Sequence, residues 1–166
     1  AGTIDIGAFE YVRTLQTGVS SYAGCTDSYM VAGAPTTNYG TNTKMTVCGY
    51  YDQGAGNVMR PILRFDLSSI TSGTTINNAK LYVYSYDQAG LRGSTGYYGG
   101  YPLTRGFTES QVTWNIAATG TNWTTPGGDF NGTADATATK QAVAGVWYAF
   151  DVTSRVQSMV NTPSGN

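Results

Sequence analysis

Apolar and polar residues alternate in short runs, and the runs are separated by clusters of Gly, Asn, Thr and Asp. Such alternation predicts strands, because successive side chains of a strand point to opposite faces. The clearest runs are Asp27–Val31, Lys44–Cys48, Met59–Leu67, Asn78–Tyr86, Tyr101–Arg105 and Val146–Val152. Within Met59–Leu67, the period places Leu63, Phe65 and Leu67 on one face and Arg60, Ile62, Arg64 and Asp66 on the other. Within Asn78–Tyr86, it sets Leu81 and Val83 opposite Lys80, Tyr82 and Tyr84. Each strand thus has a core face and a more polar face, as in sheets that pair into sandwiches or jelly rolls. Only Ser154–Val160 reads as helix, with Thr153 as its N-cap. The stretches Asp87–Gly100 and Ala117–Gln141 read as long loops, which on a β scaffold either carry function or decorate it. The expected fold is all-β: an antiparallel β-sandwich of jelly-roll type with very little helix.

Composition narrows the function classes. The 166 residues suffice for one domain with its own core. Charged residues make up only 11%, too few for long amphipathic helices, and the Thr, Val, Tyr and Gly content suits an extracellular β domain. A net charge of −1 gives no general attraction to nucleic acid or anionic lipid. No apolar run is long enough to span a membrane, so no membrane insertion is expected. The first residues, Ala1–Asp5, lack the basic and apolar regions of a signal peptide, which suggests a mature product or an excised piece. There is no histidine, and this removes Ser-His and Cys-His nucleophile systems and His-based zinc sites. Cys25 and Cys48 close a short loop if paired, a bond worth about 3 kcal/mol in an oxidising compartment. The secreted character of the rest favours that disulfide over two buried thiols.

A series of motifs then adds a resemblance. Asp27-Ser28-Tyr29, Asn38-Tyr39-Gly40, Leu63-Arg64-Phe65-Asp66-Leu67-Ser68-Ser69-Ile70 and Ala79-Lys80-Leu81-Tyr82 come first. Thr108-Glu109-Ser110-Gln111-Val112-Thr113-Trp114-Asn115, Gly127-Gly128-Asp129-Phe130 and Phe150-Asp151-Val152-Thr153 with Val156-Gln157 follow. In this order, over residues 27–160, they resemble the DNRLRE domain family, which includes the disaggregatase-related repeats. Asp5–Tyr11 resembles the closing segment of a parallel β-helix domain. The resemblance implies a remnant or linker over 1–22, then a single jelly-roll carbohydrate-binding domain over 23–166. Family members usually continue for another strand or two past Val-Gln, so this chain is either trimmed or closes differently. It further implies a secreted or cell-surface location and a polysaccharide partner of the cell wall or matrix, acidic or rich in amino sugar. The expected setting is a monomeric module, itself not an enzyme, beside an upstream polysaccharide-degrading domain. A structural calcium ion is implied as for jelly-roll binding modules generally; Asp27, Asn38, Thr41, Asn42 and Asp151 offer hard oxygens for it.

Sugar recognition needs flat apolar surface for C–H faces and planar donors for hydroxyls and carboxylates. Arg60, Arg64, Tyr82 and Tyr84 supply both and are the first ligand candidates; the alternative is that the tyrosines pack inside and the arginines pair with carboxylates such as Asp66. Tyr97, Tyr98 and Tyr101, with Arg105 and Arg92 nearby, form a second aromatic group on a glycine-rich loop, either a ligand contact or a cap on the sandwich edge. Trp123, in a polar stretch, is a stacking candidate; Trp114 is expected to pack under a loop, and Trp147 to lie in the core or at its rim. A polysaccharide lyase could use a tyrosine base beside an arginine, and a glycosidase would need two suitably spaced carboxylates from Asp66, Asp87, Glu109 and Asp129, of which no spacing forces any two together. A structural or adhesive domain of a surface protein is the remaining alternative.

Overall fold

A computed structural model describes residues 12–49, 58–86, 96–141 and 143–162. Its elements are β1 (Cys25–Val31), β2 (Met59–Phe65), β3 (Lys80–Ser85), β4 (Tyr97–Gly100), β5 (Ile116–Ala118), β6 (Thr121–Asn122), β7 (Ala136–Thr139), β8 (Val146–Asp151) and one helix, α1 (Thr153–Asn161). All ladders are antiparallel: β1 with β2, β3 with β8, β4 with β7 and β5 with β6. The last three are nested, so β3–β8 behaves as one long hairpin whose tip is β5–β6 and whose arms pair stepwise outward. Rolling such a hairpin on itself is the wiring of a jelly roll, and the protein is an all-β antiparallel sandwich.

Two apolar clusters hold it. The first joins Met30 and Ile62 of the β1–β2 ladder to Phe107, Val112, Ala117 and Trp123. The second joins Tyr148 and Phe150 of β8 to Ala136 and Ala138 of β7, with Leu81, Val83 and Tyr98 packed against it. The inner faces of the β3–β8 and β4–β7 ladders therefore meet in one core. On β3 this is the face that alternation predicts, Leu81 and Val83. On β2 it is not: Ile62, on the face of Arg60 and Arg64, is the residue buried against the first cluster, and Leu63 and Phe65 are half-buried. Alternation sorts residues into two faces but does not say which face a partner covers.

Several expected elements are corrected. Lys44–Cys48 and Tyr101–Arg105 contribute only single bridges, Cys48 to Met59 and Leu103 to Phe130. The expected loop Ala117–Gln141 contains β6 and β7, and Tyr97–Gly100 is a strand, not a loop. The helix begins one residue earlier than expected, with Val152 as N-cap. Thr153 instead accepts the Ala79 N–H at 2.9 Å and donates its hydroxyl to Asp151 Oδ1 at 2.7 Å.

The expected disulfide between Cys25 and Cys48 does not form. The ladder gives the reason. Cys25 sits opposite Phe65 at one end of β2, and Cys48 bridges Met59 at the other end. Six residues of strand separate those partners, about 20 Å, whereas a disulfide needs Cα atoms within about 7 Å. Burial pushes the Cys25 thiol up from its ordinary value, with Asp27 and Glu109 adding to the shift.

Candidate functional site

The outer face of the β3–β8 ladder carries aromatic rings that stand exposed among the described residues. Tyr82 is 57% exposed, Tyr84 48% and Trp147 62%. The register puts Tyr84 directly opposite Trp147 and Tyr82 opposite Ala149. Directly opposed cross-strand residues are in contact range, and here the Tyr84 and Trp147 rings lie 5.0 Å apart, tilted by 50°. Tyr86 continues the row beyond the end of β3, with Lys44 Nζ 4.0 Å from its ring centroid. Lys80 and Asp151 face each other at the opposite end. The result is an open aromatic strip, rimmed by charge, on a ladder whose other face is core. An inward-facing row would have been buried with Leu81, Val83, Tyr148 and Phe150, so the strip is a property of the register and not a surplus of aromatics.

Tyr82 and Tyr84 stand on the open face, where the sequence leaves packing inside as the alternative. Trp147 is the residue that sequence reasoning misses: it stands on the open face, not in the core. A signal existed, since period two puts Trp147, Ala149 and Asp151 on one face and Tyr148 and Phe150 on the other.

The remaining candidates separate from this strip. Arg60 and Arg64 belong to β2, in a different ladder. Arg60 is built into the fold: its guanidinium donates to the Gly127 carbonyl at 2.8 Å and lies 5.0 Å from the Trp114 and Phe130 ring centroids. Burial pushes it down from its ordinary value. Arg64 is exposed, above the Phe107 ring at 5.9 Å. Arg105 pairs with Asp129 at 2.7 Å. Trp123 is only 4% exposed and donates its indole N–H to the Thr113 carbonyl at 3.0 Å, so it is core and not a platform. Trp114 packs against the first cluster, as expected. Tyr98 is half-buried, edge-on to Tyr148 at 5.1 Å. Tyr97 is 65% exposed on β4, and Tyr101 leans on Phe130 at 5.8 Å. Arg92, Asp87 and the segment Asp5–Tyr11 lie outside the described residues.

Of the carboxylates considered for catalysis, Asp66 and Asp129 are each engaged by hydrogen bonds. Asp66 accepts the Ser68 N–H at 2.8 Å, and the Ser68 hydrogen bonds hold it below the usual carboxylate range. For Asp129, burial is the largest single influence and raises the pKa. The hydrogen bonds from Thr124, Arg105 and Thr125 together outweigh it and hold the carboxyl at about 2.

The expected calcium ligands are also partly engaged. Asn38 Nδ2 donates to the carbonyls of Glu109 and Val112, both at 2.7 Å, and its Oδ1 accepts the Gly40 N–H. Asn42 donates to the Tyr29 hydroxyl at 2.9 Å. Asp151 accepts the backbone and hydroxyl of Thr153, which lower its pKa. Asp27 is on β1 and Thr41 in the following loop. Among the described residues no group of three or more acidic or thiol side chains could hold a metal ion. No helix among the described residues is long and apolar enough to cross a membrane.

Residues 19–166 match the sequence profile described as Carbohydrate-binding module family 96. No curated protein and no solved structure gives a significant match to the chain.

Proposed function

Because this chain belongs to carbohydrate-binding module family 96, we propose that it holds an extracellular polysaccharide on the aromatic strip of its β3–β8 ladder and turns nothing over. Families of this kind bind carbohydrate and are generally non-catalytic. The observation that carries the assignment to this face is the exposure of Tyr82, Tyr84 and Trp147 in cross-strand register. A pyranose ring offers a face of C–H groups, and an aromatic ring at a strand surface meets that face at low entropy cost, having only two side-chain torsions to fix. An open strip with no deep enclosure suits the middle of a long chain, which must enter and leave sideways.

The preferred chain is acidic or contains amino sugar, and it belongs to a cell wall or extracellular matrix. Lys44 over Tyr86 and Lys80 at the far end support an acidic partner, because they place ammonium groups at both ends of the stacking row. The module would serve a polysaccharide-degrading domain upstream by keeping it on its substrate. A structural calcium ion would have to rest on Asp27 and Thr41 with backbone carbonyls; a melting temperature unmoved by chelator and by added calcium would dismiss it.

Affinity electrophoresis through gels containing alginate, hyaluronan, pectate or neutral glucans tests the reading. Trp147→Ala and Tyr84→Ala should each weaken retention by about tenfold or more, as truncation of an anchor aromatic does, with melting temperatures unchanged. Retention unaffected by both variants would exclude this face. Binding to an acidic chain should also weaken from 0.1 to 1 M salt, as the Debye length falls from about 10 to about 3 Å.

A further inference from the structure

A second, separate recess lies on the β1–β2 ladder. It is a cleft of about 480 Å³ at the Thr26–Arg64 end of the ladder, closed by the 40–41 loop and the 107–110 segment. Its volume falls within the roughly 300–1,000 Å³ of small-molecule sites. Thr26, Thr41, Arg64, Phe107, Glu109 and Ser110 line it. Neither the Arg64 guanidinium nor the Glu109 carboxylate makes a hydrogen bond or ion pair with any described residue, and they do not pair with each other. The Thr26 hydroxyl is buried with no hydrogen-bond partner.

These are unusual vacancies. A buried hydroxyl without a partner forfeits about 1–3 kcal/mol, and charges of opposite sign lining one cleft ordinarily close on each other. Here both walls are fixed elsewhere. Arg64 is anchored in the β2 register and stands over Phe107. The Glu109 segment is tied down through its carbonyl by Asn38 and by the close approach of Gly40, where a Cβ would collide with that same carbonyl. The cleft is therefore held open by its backbone staples, with a donor fork on one side, an acceptor on the other, hydroxyls around them and one aromatic ring at its base.

We infer that this cleft binds a single pyranose unit of no net charge, independently of the aromatic strip. In this arrangement one hydroxyl of a neutral sugar accepts from Arg64 and another donates to Glu109. A uronic acid would bring a second carboxylate beside Glu109, and an amino sugar a second cation beside Arg64. Among the residues that line the cleft, one positive and one negative side chain balance, which favours a neutral guest. The choice of sugar as ligand class rests on the family reading; the existence and charge balance of the site do not. Two sites on one module also let a branched or folded chain be held at two points, which multiplies apparent affinity without new contacts.

Amide chemical-shift titrations of the folded protein with methyl glucoside, methyl galactoside, methyl mannoside, methyl glucuronide and glucosamine test this. At millimolar concentrations at least one neutral glycoside should shift the amides of Gly40, Thr41, Thr108 and Ser110, and should do so more than either charged sugar. Glu109→Gln and Arg64→Gln should each weaken that response by at least tenfold with an unchanged melting temperature, and Trp147→Ala should leave it intact while losing polymer retention. Absence of shifts at these amides with every neutral glycoside overturns the inference, as do shifts indifferent to Glu109→Gln. Shifts confined to Tyr84 and Trp147 would overturn it too, while leaving the aromatic-strip reading in place.

Discussion

At the residue scale, several of the side chains that make the sequence recognisable are staples of the fold. Asn38 ties its own loop to residues 109 and 112, more than seventy positions away, and Gly40 follows because only a residue without a Cβ fits against Glu109. Thr113 Oγ1 accepts the N–H groups of Asn115 and Ile116 at 3.2 and 3.3 Å. Gly127 lies so close to Arg60 and Trp114 that a Cβ would sit 2.7 Å from each. Asn38→Ala leaves two carbonyls unsatisfied and should cost about 2–4 kcal/mol, measured by urea unfolding. Asp129 makes a pH prediction. Its carboxyl is held at about 2 in the folded protein against an ordinary 3.8. A depressed carboxylate stabilises the fold above its unfolded pKa and loses that contribution as pH falls through its folded one. The melting advantage of the protein over its Asp129→Asn variant should therefore be full at pH 5 and above and vanish between about pH 4 and 2; an advantage constant over that range would contradict the hydrogen-bonded cage. None of these partners was legible in advance. Alternation assigned Arg60 and Arg64 to one face, but it carries no information on what packs over that face, so a half-buried arginine beside Trp114 and Phe130 looked like its exposed neighbour.

At the element scale, the strands with strong period-two patterning were legible and the short ones were not. β2, β3 and β8 fall within a residue or two of the runs read from the sequence, because each is six or seven residues long with bulky side chains on at least one face. β5, β6 and β7 span three, two and four residues and carry mostly Ala, Thr and Asn. Their strand conformation comes from their partners across the nested hairpin and not from local propensity. Ala136 and Ala138 are buried there because Tyr98, Tyr148 and Phe150 fill the space around them. Replacing Ala138 with Leu should overpack this core and destabilise by about 1–3 kcal/mol, read from the shift in the denaturation midpoint. The cysteines were misjudged for the same reason: sequence separation said nothing about which ends of β2 they flank. Denatured without reductant, the protein should take up two alkyl groups per chain, and reductant should leave its melting temperature unchanged; a mass gain of none would restore the disulfide.

At the scale of the whole molecule, the nested ladders explain why the aromatic residues of β3–β8 split between two faces. Their inner faces share a core with β4 and β7, and among the described residues the aromatic residues on the outer side stay exposed. A family profile over residues 19–166 assigns carbohydrate binding to the chain, and the proposed place for it is the aromatic strip. The most direct test uses the tryptophans themselves. Trp123 is buried and Trp114 packs against the core, whereas Trp147 stands open on the strip. Acrylamide quenching of the native fluorescence should therefore report chiefly on Trp147. With a polysaccharide that the protein retains in affinity gels, the account predicts that quenching falls as polymer is added, and that Trp147→Phe abolishes the polymer-dependent change. Bound polymer that leaves the quenching of Trp147 untouched would contradict it.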